Sequence, residues 1–164
     1  MTKQTTISKA VSLSGVGIHT GKKVKLTFKP APVNHGYAFS RVDLEGTPVI
    51  KADANLVVNT TRGTNLEKNG VSIQTSEHVL AALVGLEIDN VLIELNASEP
   101  PIMDGSSIHF VEALLEAGIE EQDAERYEYV VRENITFVDE ETGSEITVIP
   151  ADNYPVSYTH LRAH

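Results

Sequence analysis

Residues 71–95 constrain the fold of this chain more than any other stretch, because they predict a strand, a helix and a second strand in close succession. The pattern at residues 71–74 is typical of a strand that leads directly into the next element. From Val79 onward, apolar residues recur three and four positions apart, which predicts a helix with one apolar face. Residues 88–95 are almost all apolar or β-branched and predict a central strand. The chain therefore combines strands with helices.

The ends of this helix are predicted from its capping residues. Thr75 or Ser76 is expected to accept a hydrogen bond from a free backbone N–H at the N-terminus. Gly85 stands where a left-handed residue commonly follows a helix. Glu77 and His78 therefore fall in the first turn, where side chains meet a cavity rather than a core.

Glu77 and His78 are suited to metal-assisted hydrolysis. The positive end of the helix dipole favours an ionised carboxylate and a neutral imidazole. A neutral imidazole can bind a metal ion, and a carboxylate beside it can take a proton from bound water. The competing interpretation is an ordinary acidic first turn with a surface histidine, and this stretch alone favours that interpretation.

Further strands are predicted wherever short runs of apolar residues alternate with polar ones. They lie at residues 7–13, 24–28, 37–41, 49–50, 60–66 and 71–74. The last two are expected to form a hairpin around Asn69-Gly70, which is a strong turn signal.

A second helix is predicted after the proline-rich turn at residues 100–106. Ser106 or Ser107 can cap its start, and Gly118 is expected to end it. Its expected core stripe consists of Ile108, Val111, Leu114 and Leu115.

The acidic run at residues 120–125 is expected to be a linker. Strands are then predicted at residues 127–131, 135–138 and 145–149. No predicted helix covers them, and a sheet of two or three strands cannot bury its apolar face alone. The chain is therefore expected to stop inside a second domain.

Three glycines within residues 15–21 invite a phosphate-loop interpretation, which their spacing excludes. A Walker loop places four residues between its first glycine and the Gly-Lys-Ser/Thr end, whereas Gly15 and Gly21 are separated by five. A dinucleotide fingerprint would need glycine at the position of Thr20. The glycines are therefore expected to shape a turn with positive φ. His19 at its tip is interpreted as a turn residue, with a place lining a site as the alternative.

The composition excludes several classes of function. A net charge of −10 over 164 residues argues against a nucleic-acid surface, and the lysines between positions 22 and 29 are interpreted as the solvated face of a strand. Cysteine is absent, which excludes disulfide and thiolate sites. No signal core or membrane-spanning run occurs, and the chain is expected to be cytoplasmic.

Four motifs occur in order along the chain. They are Gly-Val-Gly-Ile-His-Thr-Gly at 15–21, Thr-Ser-Glu-His-Val-Leu-Ala-Ala-Leu at 75–83, Asp89-Asn90, and Pro-Ile-Met-Asp-Gly-Ser at 101–106. Together they resemble the N-terminal half of UDP-3-O-acyl-N-acetylglucosamine deacetylases, zinc hydrolases of lipid A synthesis in Gram-negative bacteria. The resemblance implies an α+β fold: a two-layer sheet-on-helices domain (ribosomal protein S5 domain 2-like), followed by the start of a second similar domain, with the active site between the two.

The resemblance also implies a domain organisation. Residues 1–123 are expected to form the first α+β domain, and residues 124–155 the linker and opening strands of a truncated second domain. Residues 156–164 resemble the translation of a sequencing adapter and are expected to be a non-native tail. This tail carries His160 and His164 at a spacing that can bind a metal from a helix, although it sits at a frayable end.

By the same resemblance, His78 matches the first zinc ligand, and Glu77 matches the carboxylate that activates zinc-bound water. Zinc would lower the pKa of that water, which then attacks the N-acetyl carbonyl. Asp104 matches a motif position that is assigned to loop shape. We expect the border of the substrate site to be formed by His19, Thr60, Thr61 and Arg62.

A catalytic zinc ion needs three protein ligands, and only one of the three is expected in this chain. The family's other two ligands and its general acid lie further downstream, so this fragment is expected to be inactive alone. The implied partner is a UDP-sugar with an acyl chain, bound by a monomeric enzyme without nucleic acid or a membrane span. The alternative function is a non-enzymatic binding or assembly module of similar α+β fold.

Overall fold

The computed structural model describes residues 2–153 and 156–157 and divides the chain into two compact units, Met1–Arg126 and Tyr127–His164. The elements are mixed α and β, with few helices and several sheets, as the fold class predicts in its broad form. The strands are β1 (Lys3–Ile7), β2 (Val11–Val16), β3 (Lys23–Pro30), β4 (Tyr37–Arg41), β5 (Val49–Lys51), β6 (Val57–Asn59), β7 (Asn65–Lys68), β8 (Val71–Ile73), β9 (Val91–Leu95), β10 (Ile119–Glu125), β11 (Ile135–Val138) and β12 (Glu145–Val148). The helices are α1 (Glu77–Gly85), α2 (Ile108–Ala117) and a 3-10 turn at Ala54–Leu56.

The main sheet of the first unit has the order β2-β3-β9-β4-β5, with β9 at its centre. This position confirms the central strand predicted from the apolar run. Alternate residues of β9 are fully buried, namely Val91, Ile93 and Leu95. On β3, Lys23 and Lys25 point to solvent while Val24 and Leu26 are buried, which confirms the solvated lysine face.

The two helices pack against each other, and α2 also packs on β2. The rings of Phe28 and Phe110 meet edge to face with centroids 6.4 Å apart, so β3 and α2 share one core. Val79 and Leu83 of α1 are fully buried as predicted, but Val84 is 63% exposed.

The predicted core stripe of α2 is wrong for most of its residues. Ile108 and Leu115 are exposed and Val111 is only partly buried, whereas Leu114 is buried as predicted. The buried stripe follows the spacing i, i+3, i+4, i+7 through Phe110, Ala113, Leu114 and Ala117. Two of these residues are alanines, and their small side chains concealed the true face from a search for bulky apolar residues.

The helix ends differ from the prediction at α1. Ser76 is the N-cap of α1, but neither it nor Thr75 accepts a capping hydrogen bond through its side chain. Gly85 is not left-handed; Glu87, with φ of 55°, takes that conformation instead.

At α2, Ser107 is the N-cap but makes no side-chain capping bond, while Oγ of the alternative, Ser106, accepts from the N–H of Ile108 at 3.3 Å. Gly118 ends α2 with φ of 75°, as expected.

The acidic run expected to be a linker is instead strand β10, paired antiparallel with β1. Its acidic side chains are exposed, and Lys3 Nζ lies 2.7 Å from Asp123 Oδ1. Backbone pairing and the Gln122 side chain, which donates to the carbonyl of Ala31, hold this strand in place. Because these contacts leave no apolar pattern in the sequence, charge alone led to the wrong prediction.

A network of side-chain amides joins β1, β10 and β9 inside the first unit. Asn90 is 1% exposed, and its Nδ2 donates to Oε1 of Gln4 at 2.8 Å and to Oε1 of Gln122 at 2.7 Å. Its Oδ1 accepts from the backbone N–H of Gly36 at 2.8 Å. Every polar atom of the Asn90 side chain is thus paired, so Asn90 has a structural role in the Asp89-Asn90 motif.

The glycine-rich connection between β2 and β3 folds around a buried carboxylate, that of Glu99. Glu99 is 0% exposed and accepts from the backbone N–H of Thr20 at 2.7 Å, the Thr20 hydroxyl at 2.6 Å and the N–H of His19 at 3.2 Å. A Cβ on Gly17 would lie 2.1 Å from Glu99 Oε1, so a larger residue there would displace the buried carboxylate. Positive φ occurs at Gly21 (64°) but at neither Gly15 nor Gly17, so the turn interpretation is correct for one glycine of three.

Burial acts to raise the pKa of Glu99, but the hydrogen bonds from Thr20 and His19 outweigh burial and lower that pKa below its usual value. Glu99 is therefore a buried anion that neutral donors stabilise.

The described residues of the second unit contain one antiparallel hairpin, β11 with β12, in register from Ile135–Val148 to Val138–Glu145. Both strands are exposed along their length. Their positions and the turn between them confirm two of the three predicted strands, whereas residues 127–131 form no strand. Neither helix among residues 2–153 and 156–157 is long and apolar enough to cross a membrane.

We expect Asn90→Ala to lower the free energy of unfolding of the first unit by about 3 kcal/mol, because it leaves the buried partners of Asn90 without a hydrogen bond. Denaturant titration followed by circular dichroism measures the change. Asn55→Ala, in the exposed 3-10 turn, is the matched control and is expected to be nearly neutral. A loss no larger than that of the control would show that the amide network contributes nothing to stability.

We expect Glu99→Gln to destabilise the chain at pH 7 by about 2 kcal/mol, since an amide NH2 would face the donors of Thr20. Because the folded-state pKa of Glu99 lies below its ordinary value of 4.5, its contribution is complete above that pH and is lost as the pH falls through the folded pKa. The difference between wild type and variant should therefore shrink in acid, measured by denaturant titration at pH 7 and below pH 4. The exposed Glu116→Gln is the control, and a difference that stays constant with pH would contradict the assignment.

Candidate functional site

Glu77 is the first residue of α1, and its half-buried carboxylate turns back onto the loop that precedes β7. Oε2 accepts a hydrogen bond from the backbone N–H of Thr64 at 2.8 Å. Within the part of the chain that the structure describes, Oε1 makes no hydrogen bond. The carboxylate is thus anchored through one oxygen and has the other available as a proton acceptor.

Ser76 fixes the first turn of α1 to the same loop. It is 0% exposed, and its backbone N–H and hydroxyl both donate to the carbonyl of Thr64, at 3.2 Å and 2.9 Å. With the Glu77 contact, three hydrogen bonds join the start of α1 to one residue. The helix start is therefore defined by tertiary contact rather than by a side-chain cap.

Unusual backbone conformations surround Glu77. Arg62, Gly63 and Thr75 have φ values of 63°, 154° and 53°. A Cβ on Gly63 would lie 3.3 Å from Oε1 of Glu77 and 3.4 Å from Oγ1 of Thr75, so the loop backbone closely approaches the carboxylate. Strained residues of this kind cluster at functional sites, where the surrounding structure holds them.

His78 lies next to Glu77 in the first turn and is half-buried. Its side chain makes no hydrogen bond or ion pair with any residue that the structure describes, so its ring nitrogens are available to a ligand. Among residues 2–153 and 156–157, no three His, Cys, Asp or Glu side chains are close enough to hold a metal ion. His160 and His164 lie outside the described residues.

The expected border residues Thr60, Thr61 and Arg62 are exposed and lie in the connection between β6 and β7. Thr61 donates its backbone N–H to Oδ1 of Asn59 at 2.6 Å, which shapes the turn. The same connection continues into Thr64, the anchor of Glu77. These residues therefore belong to the same connection that anchors Glu77 through Thr64. Their contact with a substrate stays a prediction.

His19 is exposed at the tip of its loop, and its backbone is held by Glu99. No hydrogen bond or ion pair among the described residues joins it to Glu77 or His78. Asp104 accepts from the backbone N–H and hydroxyl of Ser106 at 2.9 Å and 2.8 Å, and these bonds lower its pKa. Asp104 therefore has the loop-shaping role that was predicted for it.

Sequence reasoning missed Thr64, Thr75 and Glu99. Thr64 acts through its backbone and leaves no side-chain signal. Glu99 stands directly before Pro100 and the fourth motif, and its only signal in the sequence is Gly17, where a Cβ would meet the Glu99 side chain. Thr75 was assigned a capping role, whereas its hydroxyl is buried and makes no hydrogen bond with the described residues.

The chain matches the family UDP-3-O-acyl N-acetylglycosamine deacetylase over residues 4–164. It is 50% identical over 157 residues to the bifunctional enzyme LpxC/FabZ of Bacteroides thetaiotaomicron, a match that covers 96% of this chain and 34% of the relative. It is 48% identical over 151 residues to the enzyme of the same name from Chlorobaculum tepidum, covering 92% and 32%. With the UDP-3-O-acyl-N-acetylglucosamine deacetylase of Xanthomonas campestris it shares 53% over 122 residues, covering 74% and 40%.

The chain thus spans about a third of the length of the bifunctional relatives that it matches. A family match over nearly all of its residues, together with identities near one half, leaves no doubt about descent. The chain belongs to the UDP-3-O-acyl N-acetylglycosamine deacetylase family.

Proposed function

We propose that this chain forms part of a hydrolase that removes the N-acetyl group of UDP-3-O-acyl-N-acetylglucosamine. The observation that supports this most is the Glu77 carboxylate, held by Thr64 through one oxygen and followed by His78, whose ring has no partner among the described residues. The deacetylase names of the relatives support the same reaction. Lipid A synthesis and a cytoplasmic location follow from the resemblance.

Glu77 is proposed as the general base. Its Oε1 takes a proton from a water molecule as the water oxygen attacks the acetamide carbonyl. The C–N bond then breaks, acetate leaves, and the sugar nitrogen takes up a proton to become a free amine. Because Oε2 is held by the Thr64 N–H, the carboxylate does not need to be reoriented when the proton transfers.

The described residues alone do not fit a catalytic zinc site, which needs three protein ligands. They offer one imidazole beside Glu77 and no group of three ligating side chains. We propose His78 as a single ligand in a shell that other residues complete.

The finer features of the fold are proposed on the same basis. We propose that residues 1–123 form a ribosomal protein S5 domain 2-like domain and that residues 124–155 open a second domain of the same kind. His19 and the loop of Thr60, Thr61 and Arg62 are proposed to border the bound UDP-sugar in a monomeric enzyme.

In the complete protein that carries this chain, Glu77→Gln is expected to preserve the fold while lowering kcat by about 10² to 10⁴, since a general base contributes on that order. His78→Ala is expected to abolish both activity and stoichiometric zinc. Acetate release from the UDP-sugar and metal analysis measure these effects. Glu67→Gln, at an exposed position of β7, and His109→Ala, on α2, are the matched controls.

Normal turnover of Glu77→Gln would remove Glu77 from the mechanism, and normal zinc content of His78→Ala would remove His78 from the metal shell. A complete protein that releases no acetate at all would support the alternative of a binding or assembly module.

The 164-residue chain on its own is expected to retain far less than one zinc ion after dialysis and to release no acetate, because its described residues offer one ligand where three are needed. Metal analysis of the dialysed chain, beside the complete protein under identical conditions, measures the difference. One equivalent of retained zinc with measurable acetate release would show that the chain completes the site itself.

A further inference from the structure

Thr75 combines two features that are costly for a threonine. Its backbone is left-handed, with φ of 53°, although its branched Cβ suits that region poorly. It is 7% exposed, and its hydroxyl oxygen is buried without a hydrogen-bond partner among the residues that the structure describes. Burying an unpaired hydroxyl costs free energy, and a valine or a glycine would avoid one cost or the other.

The hydroxyl of Thr75 and Oε1 of Glu77 both border the space beside Gly63. Oγ1 of Thr75 and Oε1 of Glu77 are 3.4 Å and 3.3 Å from the same point, the position that a Cβ on Gly63 would occupy. Because residue 63 is glycine, this small space between the two oxygens contains no side chain. One oxygen belongs to a hydroxyl that can donate, and the other to a carboxylate that only accepts when ionised.

The hydroxyl has no part in holding the local backbone. Thr75 itself is tied by its backbone N–H, which donates to Oδ1 of Asn65 at 3.3 Å. The next residue is held by the two hydrogen bonds from Ser76 to the carbonyl of Thr64. The fold therefore does not require a hydroxyl at position 75.

We propose that Thr75 is a positioning residue for Glu77, which rests on the proposed function of Glu77 as general base. When substrate is bound, rotation of the Glu77 carboxyl toward the space beside Gly63 lets the Thr75 hydroxyl, unpaired until then, donate a hydrogen bond to Oε1. Glu77 is thereby held through both oxygens, by Thr64 and by Thr75, with its remaining lone pairs directed at the attacking water.

The test separates the hydroxyl from the shape of the side chain. Thr75→Val keeps the branched Cβ and the backbone strain but removes the hydroxyl, and Thr75→Ser keeps the hydroxyl. In the complete protein, Thr75→Val is expected to lower kcat about tenfold with KM little changed, as for loss of a hydrogen bond to a charged group. Thr75→Ser is expected to restore most of the rate.

Stability is measured on the 164-residue chain, where Thr75→Val is expected to leave Tm unchanged or to raise it, because a buried unpaired hydroxyl is lost. Thr47→Val is the matched control. Thr47 is also left-handed, with φ of 42°, but it is exposed in the turn between β4 and β5, and its variant should leave kcat and Tm unchanged.

Three results would overturn the proposal while leaving the function in place. They are a normal kcat for Thr75→Val in an active enzyme, a lowered Tm for Thr75→Val beside an unchanged Thr47→Val, and a reduced kcat that Thr75→Ser fails to restore. An inactive wild-type complete protein would instead overturn the proposed function, and this inference with it.

Discussion

The hydrogen bonds of Asn90 are the constraint on which the first unit depends. Asn90 stands directly before the central strand β9. Its side chain pairs with Gln4 of β1, Gln122 of β10 and the backbone N–H of Gly36. β1 contributes Ile7 to the core, whereas β10 is acidic and largely exposed, so the amide of Gln122 helps to attach β10 to the rest of the unit. A buried polar network that is fully paired specifies one arrangement, since every shift would leave donors or acceptors without partners.

The four motifs that carry the family resemblance divide between structure and chemistry. Asn90 belongs to the amide network, and Asp89 accepts from the backbone N–H of Thr5 at 2.7 Å and from the guanidinium of Arg126. The first motif wraps around Glu99, and Asp104 in the fourth closes its own turn. The stretch at 75–83 is the one in which a carboxylate and an imidazole lie side by side with free atoms. A resemblance spread over four motifs thus identifies the fold with most of its residues and the reaction with a few.

Local patterns predicted β3, β4, β8, the turn at Asn69-Gly70 and the central position of β9, because each has alternation, a turn dipeptide or an unbroken apolar run. The strand predicted at residues 60–66 is wrong for residues 60–64, since β7 begins only at Asn65. They failed for β10, which is held by backbone and amide contacts, and for the buried face of α2, where alanines stand in the stripe. For the candidate site, the adjacency of Glu77 and His78 was visible in the sequence. The anchor was not, because Thr64 acts through its backbone across a connection whose length and turns no local pattern specifies.

A left-handed backbone costs free energy at non-glycine residues, and in this chain such residues differ in whether they lie in exposed turns or beside the candidate site. In ordinary turns it falls on residues that tolerate it, such as Asn69 in the hairpin. Of the non-glycine residues with positive φ in the part of the chain that the structure describes, Thr75 is the only buried one. Strain of this kind costs about 1–3 kcal/mol, and the hydrogen bonds from Ser76 to Thr64 offset part of it. The position of Glu77 is therefore set by the 62–65 connection and not by the helix, so loosening that connection displaces Glu77 before it disturbs the core around β9.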